Sequence, residues 1–328
     1  MIRIAVVIPC YRVVDHIWDV IQRIGPEVDR IYCIDDKCPD GSGEFIRNTI
    51  GDKRVTVIFH AANQGVGGAT VTGYKAALAD GVEVVVKIDG DGQMDAGLIG
   101  SFVGPILEGN ADYTKGNRFF RLEDVRMMPR LRLLGNAALS FFSKFSTGYW
   151  NIFDPTNGYT AIHSQALKNL PLDEISCDYF FESDMLFRLN TLGAVVIDIP
   201  MAARYGKEVS SLRIRNVAFI FFMKHSTNFV KRIFYNYYLR DFNVASIELL
   251  LGMTLLTFGA GFGLDRWMES AVSGVPATAG TVMLAAFPAL AGLQLLLGFL
   301  NFDIQNAPSF PLQKRIGCKK DVVPERVG

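Results

Sequence analysis

The sequence predicts an α/β domain with a mostly parallel, Rossmann-like sheet, followed by interfacial helices and a two-helix transmembrane hairpin. Three observations carry this. Short β-branched runs alternate with helix-like stretches as far as about residue 200, the pattern of βαβ units. Acids, glycines and a proline collect where those runs end. Beyond about residue 213 the chain turns basic and aromatic, then apolar.

Ile4–Ile8 is the first strand, stopped by Pro9, and Val13–Ile24 follows with helical spacing. The N-terminus only superficially resembles a secretory leader, having no basic n-region and no small-residue cleavage site. Arg30–Ile34 is a second strand ending at Asp35-Asp36, and Arg54–Phe59 a third. The glycine-rich loop Asn63–Gly68 then opens a helix through about Ala79. Val82–Ile88 is a fourth strand, running into Asp89-Gly90-Asp91-Gly92-Gln93. Ala111–Lys115 is another strand, leading to Gly116-Asn117-Arg118. Leu131–Phe145 reads as a helix, Asp154–Tyr159 as a turn and Thr160–His163 as a strand. Asp178–Leu192 is a helix with Glu182 and Asp184 near its start, where the helix dipole favours acids, and Gly193 suits its C-cap. Ala194–Ile199 is the last strand, and a polar loop through Arg204 and Ser210 closes a domain spanning residues 1–212.

Residues 213–243 mix aromatics with bases and hold almost no acid, which suits helices lying on an anionic bilayer surface. Val244–Leu264 and Ala279–Phe302 are each near the ~20 apolar residues that cross a bilayer core. Their connector, Asp265–Thr278, carries one base, Arg266, whereas Lys231, Arg232, Arg240, Lys314, Arg315, Lys319 and Lys320 flank the spans. This bias puts the α/β domain, both termini and the tail 303–328 in the cytoplasm of an integral membrane protein, such as one of the bacterial inner membrane. Glu248 lies about one turn inside the first span, where it snorkels or meets a headgroup.

The 33 Lys and Arg balance the 33 Asp and Glu, so no basic field recommends a nucleic-acid partner. The His residues show no zinc spacing, and the five Cys form no CxxC and read as reduced thiols. In a parallel sheet, ligands sit at the carboxyl ends of the strands. Pro9, Asp35-Asp36, the 63–68 loop and Asp89-Gly90-Asp91 all fall on that rim. Asp89 and Asp91 are one residue apart at a strand tip, an arrangement suited either to a polar turn or to a hard divalent cation such as Mg²⁺. Such a cation would neutralise a departing nucleoside diphosphate, with Arg118 and Arg204 adding charge-assisted bonds to phosphate. Asp35 or Asp36 could hold base or ribose, and Gly65 to Gly68 allow a backbone to approach a ligand closely.

Val7-Ile-Pro-Cys-Tyr11, Ile34-Asp-Asp36 with Asp40-Gly-Ser42, Asn63–Gly68, Asp89-Gly-Asp91 with Gln93, Gly116-Asn-Arg118 and Asp154–Gly158 occur in that order. With them, residues 1–212 resemble the family 2 glycosyltransferases of GT-A fold, and within these the polyprenyl-phosphate group typified by dolichyl-phosphate mannose synthase. The resemblance implies inverting transfer of a sugar from a GDP- or UDP-linked donor to a polyprenyl phosphate at the cytoplasmic membrane face. It gives Mg²⁺ or Mn²⁺ to Asp89, Asp91 and Gln93. It gives nucleoside contacts to Pro9, Tyr11 and Asp35 or Asp36, with Gly65 on the same donor-binding rim. Phosphate or acceptor contacts go to Arg118, Arg204 and Ser210, and Asp154 lies toward the acceptor. Arg12-Val13 stand where the family usually has an acid, and Val66 where a Lys is common.

A dianionic lipid phosphate needs no protein base, so Glu182 and Asp184 are read as helix-start acids. Two other readings are a transferase acting on a saccharide and a non-catalytic module that binds nucleotide or lipid. A nicotinamide dehydrogenase is disfavoured because no GxGxxG follows the first strand. Homo-oligomers remain possible, although the sequence has no coiled-coil seam.

Overall fold

The structure is a computed structural model, and it describes residues 3–120, 130–202 and 214–317. The chain forms two compact units, one made by the sequence up to Phe229 with the segment from Pro308 onward, the other by Val230–Ala307.

The first unit is built on a seven-stranded sheet in the order β3-β2-β1-β4-β6-β5-β7. The strands are β1 (Ile4–Cys10), β2 (Arg30–Asp35), β3 (Val55–Phe59), β4 (Val84–Lys87), β5 (Tyr113–Asn117), β6 (Thr160–His163) and β7 (Val196–Pro200). β6 pairs antiparallel with both β4 and β5, and every other pairing is parallel. The expectation of a mostly parallel sheet holds, with β6 as its one reversed strand. β6 is reversed because the turn 154–159 delivers the chain to the sheet on the same rim where β4 and β5 leave it, with Thr160 opposite both Lys87 and Lys115.

β1 runs one residue past Pro9, which the sequence reading took as its stop. Pairing with β4 ends at Val7, so the missing proline N–H breaks no ladder bond on that side, while Pro9 and Cys10 still pair with β2. Alternation along the strand splits the core. Val6 and Ile8 join one apolar cluster with Ile17, Phe102 and Ile106, while Ala5 and Val7 join another with Tyr74, Met185 and Leu189.

Helices α1 (Val14–Gln22), α2 (Ser42–Thr49), α3 (Gly65–Ala79), α4 (Ile99–Leu107), α5 (Arg130–Thr147), α6 (Ser164–Asn169) and α7 (Phe181–Leu192) follow in chain order. α2, α4 and α6 were not foreseen. α4 buries Ile99, Phe102, Val103 and Ile106 at helical spacing, but carries Pro105 inside it, a residue that argues against a helix interior. Gly193 ends α7 in the left-handed region (φ 73°), as expected.

α8 (Ile214–Phe234) passes into a π-helical turn, Tyr235–Arg240. α9 (Val244–Ser273) and α10 (Ala279–Gln305) are both long and apolar enough to cross a membrane. The connector is shorter than expected, because α9 continues through Asp265 and Arg266 to Ser273. Arg266 bonds Asp265 (2.6 Å) and Glu269 on the helix surface, so the charged stretch extends the helix instead of ending it. The α9–α10 seam is lined by small residues. A Cβ added at Gly259 would lie 2.5 Å from the Ala289 nitrogen, and one at Gly292 2.5 Å from that of Leu256. Glu248 lies along this seam, about 3.1 Å from a Cβ built on Gly298. At the hairpin's end Asp303 is buried, forked by Arg232 (2.6 and 3.0 Å) and bonded by the Tyr237 hydroxyl (2.7 Å).

The last helix, α11 (Leu312–Gly317), belongs to the first unit. Asp112, wholly buried at the start of β5, accepts from the backbone N–H groups of Leu312 (2.7 Å) and Gln313 (2.9 Å) and so caps it.

Candidate functional site

The rim at the carboxyl ends of β1, β2, β4, β5 and β7 carries the chemistry, and its two halves differ. At the β2 end, both acids are spent on the chain. Asp35 is 5% exposed and accepts from the Cys38 N–H (2.8 Å) and the Gly43 N–H (2.6 Å), fixing the turn into α2. Asp36 is 3% exposed and accepts from the Gln64 and Gly65 N–H groups (2.8 Å each), with His60 Nδ1 also 2.8 Å away. Both covered carboxylates hold loops through these donors, and the expected nucleoside contact from one of them is a proposal. The glycine loop opens α3 as expected, with Gly65 in its first turn. Gly65 (φ 78°) is glycine because a Cβ there would lie 2.5 Å from the Cys177 carbonyl, and Gly67 N–H donates to the same oxygen (2.8 Å). The close approach is to the chain's own backbone. Tyr11 is the open side chain here, 45% exposed beside half-buried Pro9, with the Arg12 guanidinium 5.6 Å from its ring centre. Arg12 and Lys37, at the ends of β1 and β2, both hold positive φ (58° and 56°), rare for side-chain-bearing residues.

At the β4 end the acids face outward. The Asp89 side chain is 32% exposed, and Asp91 and Gln93 are also half-buried. Gly92 (φ 76°) turns the chain so that the Gln93 N–H donates to Asp91 Oδ1 (2.9 Å). Behind them lies Lys87, 1% exposed, whose ammonium reaches Asp89 Oδ1 (2.9 Å) and Glu182 Oε1 (3.0 Å). Burial alone would lower Lys87, but the carboxylates of Asp89 and Glu182 outweigh it and push the lysine well up. Gly158 closes the cluster, since a Cβ there would lie 2.5 Å from Lys87 Nζ and 2.7 Å from Asp89 Oδ2.

At the β5 end, Arg118 forks onto buried Asp154, with Nε on Oδ2 (2.7 Å) and Nη2 on Oδ1 (2.9 Å). Two residues named from sequence are thus brought together as a bidentate pair. Lys115, fully buried, donates to the Asn157 carbonyl, and burial lowers it to about 8 despite nearby Glu182, Asp154 and Asp198. Asp198 accepts from Asn117 Nδ2 (2.8 Å) and the Phe153 N–H (3.2 Å), and burial raises it to about 6. Arg204 and Ser210 lie outside the described residues.

Lys87, Lys115 and Asp198 were not singled out from the sequence, and Glu182 was read only as a helix-start acid. Glu182 and Asp184 do sit in the first turn of α7, but as buried acids. Asp184 accepts from the Ser176 N–H (3.0 Å), Arg188 Nε (3.0 Å) and Asn228 Nδ2 (3.1 Å). The available signal was Lys87 itself, since a lysine ending a run of buried valines requires a buried carboxylate.

The donors suit a hard divalent cation. Asp89, Asp91 and Gln93 offer only oxygen, and the described residues contain no group of three or more His, Cys, Asp or Glu that could hold a metal. Mg²⁺ and Mn²⁺ accept such sparse sites, completing the shell with phosphate and water.

Residues 5–170 match the profile of glycosyl transferase family 2. The chain belongs to that family. It is a glycosyltransferase, and its relatives are consistent in kind. It is 29% identical over 206 residues to undecaprenyl-phosphate mannosyltransferase of Micrococcus luteus, covering 61% of this chain and 82% of that one. It is 30% identical over 181 residues to UDP-N-acetylglucosamine–dolichyl-phosphate N-acetylglucosaminyltransferase of Methanococcus voltae, covering 51% and 72%. Its fold is similar to that of glucosyl-3-phosphoglycerate synthase from Mycobacterium tuberculosis, solved with Mn²⁺, UDP and glucosyl-3-phosphoglycerate. That match has a TM-score of 0.52 at 17% identity, over 70% of this chain and 79% of that one.

Proposed function

We propose that this glycosyltransferase moves a sugar, with inversion, from a GDP- or UDP-linked donor to a polyprenyl phosphate at the cytoplasmic face of the membrane. The observation that carries the reading is the outward pair Asp89 and Asp91 on a family 2 rim, in a chain with two apolar helices of spanning length. The relatives named for undecaprenyl and dolichyl phosphate support the acceptor class.

Asp89, Asp91 and Gln93 would hold Mg²⁺ or Mn²⁺, which when bound supplies Lewis-acid neutralisation of the diphosphate leaving group. Pro9 and Tyr11 receive the base, in a frame fixed by Asp35, Asp36 and the Gly65 turn. Arg118, oriented by Asp154, contacts phosphate, and Arg204 and Ser210 are proposed to do the same toward the acceptor. The phosphomonoester is largely dianionic at neutral pH, its second pKa being about 6. One of its oxygens attacks C1 of the sugar, the bond from C1 to the donor phosphate breaks, and the nucleoside diphosphate leaves with the electron pair. No protein base is needed. The basic aromatic segment 213–243 would lie at the interface and bring the acceptor to the rim.

The test is to incubate membranes containing the protein with radiolabelled GDP- and UDP-sugars and a polyprenyl phosphate, with and without EDTA. Label should enter the lipid phase only where metal is present. No label in lipid with any donor would sink the proposal.

A further inference from the structure

The Lys87–Glu182 pair has no part in the transfer just described, yet it touches the cation site. Its position is costly for stability alone. A buried ion pair is often matched or bettered by apolar residues of similar volume, and the three positions before Lys87 are valines with no exposure. The ammonium is directed, not merely buried. It reaches Asp89 Oδ1 at 2.9 Å and Glu182 Oε1 at 3.0 Å, so one oxygen of the proposed ligand is held inward. The other oxygen, Oδ2, lies against Gly158, where a Cβ would come within 2.7 Å of it. The Ile88 N–H donates to the Val7 carbonyl (3.1 Å), fixing the backbone between lysine and aspartate.

We infer that Lys87 and Glu182 are positioning residues for the divalent cation. Lys87 pins Asp89 in one rotamer, and Glu182 holds Lys87 and offsets its charge so that Asp89 still attracts the metal. This rests on the reading of Asp89 and Asp91 as cation ligands. Carboxylates that bind metals are commonly held by such outer hydrogen bonds, and losing one typically costs about 10–100-fold in metal affinity.

The experiment measures Mn²⁺ binding directly, by electron paramagnetic resonance of free Mn²⁺, on the purified full chain in nanodiscs, alone and with UDP or GDP. Two variants are compared with the parent. Glu182→Gln keeps an oxygen for Lys87 but removes the charge. Lys87→Met/Glu182→Gln removes both charges, so that neither is left buried and unpaired. Each should weaken Mn²⁺ binding about 10-fold or more, with nucleotide affinity in EDTA and the thermal midpoint of the double variant unchanged. A merely structural pair would move the midpoint and leave Mn²⁺ affinity alone, and that result overturns the inference. Tighter Mn²⁺ binding also overturns it, because Lys87 would then be a competitor of the cation. Asp91→Asn separates the two readings. If it binds Mn²⁺ as the parent does, the cation site itself is misplaced and both fail. If it loses Mn²⁺ while the double variant does not, only the positioning role fails.

Discussion

Two strands of one sheet end in acids two or fewer residues apart, and the chain uses them in opposite ways. After β2, Asp35 and Asp36 turn inward and receive four backbone N–H groups between them, at 2.6–2.8 Å. After β4, Asp89 and Asp91 have a glycine between and a glycine after, and Asp89 keeps a third of its side chain exposed. Adjacent acids cannot share a strand face, and here the loops following β2 fold back over both. The alternate spacing after β4 lets both acids emerge together. In this sheet the spacing separates carboxylates covered by backbone donors from carboxylates left partly open.

The largest expected effect falls on the β4 side. Asp91→Asn should reduce sugar transfer about 10²–10³-fold, the scale of losing one preorganised electrostatic contact to a leaving group. Its thermal midpoint should stay near the parent's, because the side chain is half-exposed and Gln93 N–H can still bond an amide oxygen. Transfer assays beside thermal unfolding in nanodiscs check both halves. An Asp91→Asn protein that unfolds early would erase the contrast with β2.

The converse prediction is smaller in energy and different in kind. Asp36→Ala strands the Gln64 N–H, leaves the Gly65 N–H with only Asn63 Oδ1 (3.1 Å) and removes the partner of His60 Nδ1. Leaving buried donors unsatisfied costs about 1–3 kcal/mol. The loss should appear as a lower unfolding midpoint and faster proteolysis near the Asn63–Gly68 turn. A variant of parental stability with a raised KM for the nucleotide sugar alone would return Asp36 to the nucleoside.

How much of this could be read beforehand follows the same division. Strands, rim and the Asp89–Asp91 pair were legible because they rest on local features: β-branched runs, glycines and acids at strand ends. The pairing of Arg118 with Asp154 was not, since 36 residues separate them and only the reversal of β6 brings the second to the first. Lys87 and Glu182 are 95 apart in sequence. Asp112 reads as a polar residue beside a strand until α11 returns from 200 residues away to place its N-terminus on it. Charge burial is a tertiary property, and the sequence shows only one side of each bargain. The glycine loop shows the same limit: composition announces that a backbone comes close, but not that at Gly65 and Gly67 the neighbour is Cys177.

The smallest predicted effect tests whether buried titrating groups away from the cation site behave as their surroundings demand. His225 is buried among Phe180 and Phe221, with Nδ1 2.6 Å from Ser146 Oγ and no hydrogen-bond partner on Nε2 among the described residues. Burial lowers its pKa from 6.5 to about 4. Between those values the unfolded chain binds the proton that the native state excludes, so this group's contribution to stability is lost as pH falls from 6.5 toward 4. Asp198 runs the other way. Burial raises it from 3.8 to about 6, so the native state binds the extra proton, and stability from this group is lost as pH rises through that window. The two slopes oppose each other across nearly the same range. Unfolding midpoints measured from pH 4.5 to about 6.5 should therefore separate the single variants. Relative to the parent, His225→Phe should gain stability as pH falls, and Asp198→Asn should gain it as pH rises. Profiles that stay parallel to the parent's would mean that neither group is as dry as its packing indicates.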